Sequence, residues 1–396
     1  MQQHSSFSLP EPDADSMAHS ERVADHLRAT IRDAGGEISF AEYMHHCLYA
    51  PGLGYYSAGS RKFGRSGDFV TAPEISSLFG SIVARQCTDV LGELESPAIL
   101  EFGAGSGKLA VDILRELTQP GAVIGCNYKI LEVSADLRQR QEACIRSAMP
   151  EQAGRVEWID AIPAEFSGVV IANEVLDALP VERFVRRDAG VNQVCVTTSG
   201  PGFELVERPA PDRLVAAVGA IEESLGDALP DGYASELSLA APQWIADIAS
   251  ALRQGLVLLF DYGVGRREYY APERAGGWLR CHFRHHAHDD PLVLPGIQDL
   301  TTWVDFTAIA EAADANGLDI AGFVTQAQFL IGGGVDRYLA EFANLTTDAR
   351  LKLSSEIKLL TLPSEMGEHF KCLGLSRGVL ATPSAFGFAD RITSLG

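Results

Sequence analysis

The chain has 396 residues, and 53 acidic side chains against 32 basic ones give it a formal net charge of −21. A protein this acidic lacks the net positive field that sequence-independent binding to phosphate backbones needs, so we expect no nucleic-acid partner. A hydrophobic content of 46% is ample for a folded core, and the length suits two or three units or one elaborated α/β domain.

Residues 1–20 are polar and have no hydrophobic period, so we expect a mobile tail there. Over 21–96 we expect N-terminal helices and a lid loop, with apolar spacing that predicts helices at 21–34 and 40–48. The stretch 48–80 is rich in glycine and aromatic residues. Because a loop of this length in a compact chain is more often functional than idle, we assign it to the lid.

Short β-type runs and helical runs then alternate along the chain. Strands are predicted at 97–103, 127–134, 155–160, 168–174, 255–263, 318–326 and 370–377. Helices are predicted at 108–117, 135–148 and 306–316, and a further helix is expected to open after residue 174. Alternating strands and helices favour a parallel sheet covered on both faces.

We therefore predict an α/β fold with a seven-stranded, mostly parallel, Rossmann-like sheet. The predicted core covers 97–377, with insertions near 181–250, 264–305 and 327–365 and a C-terminal tail over 378–396.

Three features bear on compartment and metal content. The longest aliphatic stretch, GLVLLF, is far shorter than the ~20 apolar residues of a membrane-spanning helix, and no secretion signal is visible. The seven cysteines are scattered and form no C-x-x-C pair, and the histidines at 282–288 lack zinc-site spacing. We expect a cytoplasmic protein with no membrane contact and no metal.

The segment EFGAGSG, residues 101–107, stands where a predicted strand gives way to a helix. Gly103, Gly105 and Gly107 would let the backbone approach a ligand at the sheet edge where open α/β sheets bind ligands. A dinucleotide fingerprint G-x-G-x-x-G would need glycine or alanine at position 108, where Lys108 stands. A tight turn that binds nothing is the alternative.

Acidic residues beside this turn indicate the class of ligand. Glu101 precedes the glycines, where a carboxylate would repel a pyrophosphate but attract an amino-acid ammonium group. This combination favours S-adenosylmethionine, which carries an ammonium and a sulfonium but no phosphate. Glu132 could accept hydrogen bonds from both ribose hydroxyls, and Asp160 could accept one from the adenine amino group. Ordinary exposed carboxylates at strand ends are the alternative.

Six blocks together resemble the MidA-like family of class I S-adenosylmethionine-dependent methyltransferases: EFGAGSG, NEVLDALPVERF, GDFVTAPEISSLFG, LFDYG, PGIQDLTTWVDF and PSEMGEHFKCLGLSR. The resemblance covers residues 36 to 377 and implies a seven-stranded methyltransferase core. The family's mitochondrial member is the protein arginine methyltransferase that assists assembly of respiratory complex I. The resemblance therefore implies a protein substrate with an accessible arginine, such as a respiratory complex I-type target.

Arginine as acceptor demands carboxylates, because a guanidinium with a pKa above ~12 must be held and helped to lose a proton. From the resemblance, Glu174 and Asp177 are the predicted catalytic residues, sharing one face of a helical turn, with Asn173 near the methionine moiety of the cofactor. The alternative is that Asn173 and Asp177 only cap and charge a helix N-terminus.

Two further blocks supply predicted site residues. From the segment GRSGDFVTAPEIS we place near the cofactor Asp68, Thr71, Pro73 and Glu74. A structural Ω-loop is the alternative for this segment. Asp261 and Tyr262 end the fifth strand at the same edge and are candidates for substrate contact, with a plain turn as the alternative.

The chain departs from the expected family pattern at Trp278 and Trp303, which replace threonine and histidine in blocks that we expect near the acceptor. Three functions therefore stay open: a protein arginine methyltransferase, a small-molecule methyltransferase, and a noncatalytic assembly protein that keeps the fold. A dehydrogenase comes last, because Lys108 interrupts the dinucleotide fingerprint.

Overall fold

The computed structural model of the chain describes residues 9–58, 70–119, 126–340 and 342–396. Its helices are α1 Ala14–Asp33, α2 Phe40–Tyr49, α3 Ala72–Ile75, α4 Ser77–Gly92, α5 Lys108–Leu117, α6 Ala135–Ala148, α7 Asp212–Leu225, α8 Ala240–Ala251, α9 Arg266–Tyr269, α10 Phe306–Ala315, α11 Gln326–Gly332, α12 Asp336–Ala340, α13 Thr347–Thr361 and α14 Met366–His369. In the described ranges, no helix combines the length and the apolar character needed to cross a membrane.

The strands are β1 Glu37–Ser39, β2 Ala98–Phe102, β3 Asn127–Leu131, β4 Val156–Ile159, β5 Phe166–Asn173, β6 Glu182–Arg187, β7 Gly190–Ser199, β8 Gly202–Pro209, β9 Ala234–Leu237, β10 Leu252–Val264, β11 Arg280–Phe283, β12 His286–His288, β13 Asp299–Thr301, β14 Val304–Asp305, β15 Asp319–Thr325 and β16 Phe370–Arg377. Short 3-10 helices lie at Ala153–Arg155, Pro272–Arg274, Phe342–Asn344, Ser384–Gly387 and Ile392–Leu395.

The chain divides into two compact units, each drawn from three stretches of sequence. The core unit consists of 71–179, 238–274 and 303–396. The accessory unit consists of 1–70, 180–237 and 275–302. The division differs from the predicted boundary at residue 96, because α4 buries one face in the same hydrophobic cluster as α5 and so belongs to the core unit.

The core unit is built on a sheet with the strand order β15-β16-β10-β5-β2-β3-β4, and β14 pairs with the end of β10. β10, β5, β2, β3 and β4 are parallel, whereas β16 is antiparallel to both of its neighbours. The predicted fold class, a seven-stranded and mostly parallel Rossmann-like sheet, is confirmed. The order reverses between β2 and β5, and such reversals place a ligand crevice at the carboxyl ends of the strands.

Alternation along the central strands explains why the sheet is covered on both faces. In β10, Leu256, Leu258 and Phe260 join one hydrophobic cluster, while Val257 and Leu259 join the other. Successive side chains of a strand point to opposite faces, so a continuous apolar run is what a doubly covered strand requires. This is why the sequence predicts these strands accurately.

In the accessory unit, one sheet has the order β1-β7-β6-β9 with β8 paired to β7, and a smaller sheet has the order β12-β11-β13. The stretch 181–250, predicted as a less regular insertion, supplies β6, β7, β8, β9 and α7 to this unit and most of α8 to the core unit. The sequence signal is weak there because most side chains of β8 are exposed or half-buried and do not alternate between apolar and polar.

Both expected tails are ordered over part of their length. α1 begins at Ala14, inside the predicted mobile tail, because the Asp13 side chain accepts a hydrogen bond from Ser16 N at 2.8 Å and caps the helix. In the predicted C-terminal tail, Phe386 is buried against β15 and β16 at Gly322 and Gly374, where a Cβ would collide with its ring.

Candidate active site

The glycine turn, residues 103–107, connects β2 to α5 at the carboxyl edge of the core sheet. Gly103, Gly105 and Gly107 have φ of +60°, +53° and +83°, a region that other residues rarely adopt. Gly103 N donates to Leu131 O at 3.0 Å, which ties the turn to the end of β3. A Cβ at Gly107 would lie 3.1 Å from Gln141 Cα, so α6 packs directly on the turn.

The segment that contains Pro73 and Glu74 is held against the glycine turn. The Ser106 hydroxyl donates to the Glu74 carboxylate, and Lys108 Nζ donates to the Pro73 carbonyl oxygen. Thr71 precedes α3 as its N-cap residue. The structure therefore brings Pro73 and Glu74 of this block to the turn and places Thr71 at the start of α3, whereas Asp68 lies outside the described residues.

Glu132 follows β3 and is buried at the same edge. Its Oε1 accepts from Ser134 N at 2.9 Å, and its Oε2 accepts from Gln141 Nε2 at 3.0 Å. Burial raises the pKa of Glu132, and these two donors act in the opposite direction. Since each carboxylate oxygen can accept a second hydrogen bond, the carboxylate keeps acceptor capacity for two hydroxyl groups.

The other two carboxylates of the predicted cofactor site have different surroundings. Glu101 is buried within β2 and accepts from the Tyr128 hydroxyl at 2.7 Å, and burial raises its pKa to about 7. Asp160 is exposed and pairs with Arg138, whose Nη2 lies 2.6 Å from Asp160 Oδ1. Glu101 thus has a partner inside the sheet, and Asp160 has one at the surface.

Residues 174–177 form an irregular turn directly after β5, not the predicted helical turn. Glu174 has φ +54°, which is incompatible with the start of a right-handed helix. Its backbone N donates to Phe260 O at 2.8 Å, so the chain follows β10 for one more residue. The prediction that Glu174 and Asp177 share a helical face is therefore wrong, although the two residues lie in one turn.

The Asp261 side chain holds this turn in place. Its Oδ2 accepts from the backbone N–H groups of Val175, Leu176 and Asp177 at 3.2, 2.9 and 3.2 Å, and its Oδ1 accepts from Tyr262 N at 3.0 Å. Burial and the neighbouring negative charges raise the pKa of Asp261 above its usual value. Asp261 is predicted to contact substrate, but in the structure its carboxylate contacts the backbone of the turn that carries Glu174 and Asp177.

Asp177 in this turn and Asn173 at the end of β5 each keep one buried and unused side-chain acceptor. Asp177 Oδ1 and Asn173 Oδ1 accept no hydrogen bond from any residue that the structure describes. Asp177 Oδ2 accepts from the Tyr262 hydroxyl, and Asn173 Nδ2 donates to Glu174 Oε1 at 3.0 Å. Burial raises the pKa of Asp177 to about 6, against the effect of the Tyr262 hydrogen bond. Unused buried acceptors are costly unless a water molecule or a ligand donates a hydrogen bond to them.

Two further aromatic rings and an imidazole lie next to Tyr262. The Tyr262 ring lies 5.3 Å from the Phe370 ring and 6.3 Å from the Trp303 ring, measured between centroids. The His369 imidazole lies 5.5 Å from Trp303. Trp303, the departure from the family pattern noted above, therefore belongs to an aromatic group that reaches Asp177 through the Tyr262 hydroxyl.

Two residues of this edge were not among the predicted site residues. Gln141 is fully buried and contacts both Glu132 and the glycine turn, but a glutamine within a mostly polar helix gives no local signal. Val133 is 68% exposed immediately after Glu132. Its exposure is visible only in the structure, and the sequence shows no more than a valine directly after Glu132 at the end of a predicted strand.

Comparisons with known proteins agree with this geometry. Residues 82–324 match the model of a family described as "Putative S-adenosyl-L-methionine-dependent methyltransferase". A solved structure from Burkholderia thailandensis, in complex with S-adenosyl-homocysteine, is 40% identical in sequence and has a TM-score of 0.91. The match covers 98% of this chain and 100% of that chain. The predicted cofactor, S-adenosylmethionine, is confirmed.

Curated relatives cover most of the chain as well. The Drosophila melanogaster "Protein arginine methyltransferase NDUFAF7 homolog, mitochondrial" is 32% identical over 94% of this chain and 89% of its own length. The Danio rerio "Protein arginine methyltransferase NDUFAF7, mitochondrial" is 29% identical over 89% of this chain and 86% of its own length. These mitochondrial relatives contradict the cytoplasmic location expected from the sequence. This chain belongs to the MidA-like family of S-adenosyl-L-methionine-dependent methyltransferases.

Proposed function

We propose that this chain transfers a methyl group from S-adenosylmethionine to an arginine side chain of a protein. The observation that carries the proposal is the buried Asp177 of the turn after β5, which keeps an unused carboxylate oxygen in the same turn as the half-buried Glu174. The names of the curated relatives support the same acceptor.

The residues around the glycine turn fit the cofactor. Glu132 has acceptor capacity for both ribose hydroxyls, and Val133 offers an apolar surface to the adenine ring. Gly103, Gly105 and Gly107 would allow the methionyl part to approach the backbone, and the unused Oδ1 of Asn173 would accept from its ammonium group. We assign supporting positions around the ligand to Thr71, Pro73, Glu101 and Asp160.

The acceptor side needs negative charge in a place with little water. When bound, S-adenosylmethionine supplies an electrophilic methyl group. Glu174 and Asp177 would hold a guanidinium through charge-assisted hydrogen bonds, fix its orientation and accept the proton that it loses. The rings of Tyr262, Trp303 and Phe370 would stack on a planar cation, which favours arginine over lysine.

The proposal is tested with purified full-length protein, methyl-labelled S-adenosylmethionine and two peptide libraries that differ only in carrying arginine or lysine at the central position. We expect label in the arginine library, recovered as methylarginine after acid hydrolysis. Label in the lysine library, or label transferred only to free small molecules, would contradict an arginine-directed activity.

The pH dependence of turnover should follow Asp177. Burial raises the pKa of Asp177 to about 6, and only the ionised carboxylate holds a guanidinium, so kcat/KM should rise with pH through this region. Tyr262→Phe removes a hydrogen bond that lowers the pKa of Asp177, so it should move the midpoint to higher pH. A profile that is flat between pH 5 and 7, or a midpoint that moves down, would remove Asp177 from the reaction.

Binding of the cofactor should depend on the glycine turn. Gly105→Val places a β-branched residue at φ +53°, a conformation that costs about 1–2 kcal/mol even before any contact with the ligand. Calorimetric titration should show micromolar binding of S-adenosylmethionine and S-adenosylhomocysteine to the wild type and none to the variant. NAD serves as the control ligand, and binding of NAD alone would overturn the role of the turn.

A further inference from the structure

Gln141 connects three parts of the cofactor edge through one side-chain amide. Its Nε2 lies 3.1 Å from Gly105 O in the glycine turn and 3.0 Å from Glu132 Oε2 after β3. Its Oε1 accepts from Trp158 Nε1 of β4 at 2.9 Å. The side chain is fully buried, and α6 carries it directly behind the turn, with its Cα 3.1 Å from where a Cβ of Gly107 would lie.

The chemistry of these partners allows only one orientation of the amide. An indole N–H can donate but not accept, so the amide oxygen must face Trp158. The NH₂ group then faces the Gly105 carbonyl and the Glu132 carboxylate, both of which can accept a hydrogen bond. Every hydrogen-bonding group of Gln141 matches its partner, so rotation of the amide by 180° would place donor against donor and acceptor against acceptor.

We infer that Gln141 is a positioning residue for the cofactor, which sets the plane of the Glu132 carboxylate and the position of the Gly105 carbonyl together. Because one amide holds both groups, the ribose acceptor and the glycine turn keep a constant separation before any ligand arrives. Preorganisation of this kind lowers the entropic cost of binding. The inference rests on the proposed role of Glu132 as the ribose acceptor and is independent of the methyl acceptor.

The test uses calorimetric titration with S-adenosylhomocysteine and with its 2′-deoxy analogue. Gln141→Leu keeps the approximate size of the side chain and removes its polar groups. We expect the affinity for S-adenosylhomocysteine to fall by about 10- to 100-fold and the affinity for the 2′-deoxy analogue to fall much less. The preference of the wild type for the ribose 2′-hydroxyl should therefore shrink in the variant.

A matched control separates positioning from general loss of packing. Gln326 is equally buried in the core unit, and its Nε2 donates to Leu360 O at 2.9 Å, away from the glycine turn and Glu132. Gln326→Leu removes one buried hydrogen bond and should leave the ratio of the two affinities unchanged. An equal loss of both affinities in Gln141→Leu, as packing damage alone would cause, would overturn the inference.

Two other variants keep the inference testable if Gln141→Leu folds poorly. Trp158→Phe removes the N–H that orients the amide, together with part of the indole ring, and keeps Gln141 itself, so it should reduce the preference for the 2′-hydroxyl by a smaller factor. Glu132→Gln should abolish that preference. If Glu132→Gln leaves the preference intact, the proposed role of Glu132 fails; if only Glu132→Gln reduces it, the role of Gln141 fails.

The pH dependence of binding gives a second readout. The Gln141 hydrogen bond lowers the pKa of Glu132, so its removal should raise that pKa. The ionised carboxylate is the form that accepts from both hydroxyls. As the pH falls, Gln141→Leu should therefore lose affinity for S-adenosylhomocysteine at a higher pH than the wild type, and a midpoint that does not move would contradict the assignment.

Discussion

Glu174→Gln is expected to lower the rate of methyl transfer by about 10²- to 10⁴-fold and to leave the affinity for S-adenosylhomocysteine nearly unchanged. The substitution keeps the size of the side chain and removes the charge that would hold a guanidinium and accept its proton. Glu174 is also held at φ +54°, and strained backbone of this kind persists where the surrounding structure enforces it, often at functional sites. Single-turnover rates with labelled cofactor measure the effect.

Glu165→Gln is the matched control for this experiment. Glu165 precedes the same strand, β5, at its opposite end, and its side chain is 69% exposed in an ion pair with Arg253. Because exposed ion pairs contribute little, this variant should keep both full activity and full stability. Wild-type turnover in Glu174→Gln would eliminate Glu174 as a catalytic residue, whereas a parallel loss in both variants would point to a nonspecific effect of charge.

Asp261→Ala is expected to have the largest effect on stability, lowering the free energy of unfolding by about 3 kcal/mol or more. The substitution leaves the N–H groups of Val175, Leu176 and Asp177 without their acceptor in a buried turn. Each buried and unsatisfied donor costs about 1–3 kcal/mol. Activity should be lost as well, because the turn that carries Glu174 and Asp177 would no longer be held. Urea titration followed by tryptophan fluorescence measures the change.

Two comparisons make the Asp261 result interpretable. Asp261→Asn keeps an oxygen for the three N–H groups but turns a donor toward Tyr262 N, so its loss of stability should be smaller. Asp390 also accepts two backbone N–H groups, those of Phe323 and Ile392, yet it is exposed, and water can replace its carboxylate in Asp390→Ala. Equal stability losses in Asp261→Ala and Asp390→Ala would show that the turn after β5 does not depend on Asp261.

Local periodicity was enough to predict most of the core unit. The predicted bounds of the helix at 108–117 and of the strand at 370–377 coincide with Lys108–Leu117 and Phe370–Arg377. Both segments have strong local signals, since one carries a helical apolar stripe and the other a buried apolar run. The glycine turn was found for the same reason, because its three glycines stand between a strand and a helix.

What could not be predicted depends on partners that are distant in sequence. The sequence of the turn at 174–177 predicts the start of a helix. In the structure its N–H groups donate to the carboxylate of Asp261, which lies about 85 residues later in the chain. Gln141 is likewise defined by Glu132, Gly105 and Trp158, which converge on it only after the sheet has formed. Side chains whose role comes from such convergence carry no periodic signal in the sequence.

The order of strands in the core sheet has a consequence for synthesis on the ribosome. β16, formed by residues 370–377, pairs with both β10 and β15 and therefore lies inside the sheet, although it is made after all the other described strands of that sheet. Until it emerges, β10 presents an unpaired edge of buried-type residues, and such edges invite pairing with other chains. Nascent chains that stop short of β16 should therefore depend on chaperones, and premature termination after residue 325 should yield aggregates and not a smaller working enzyme.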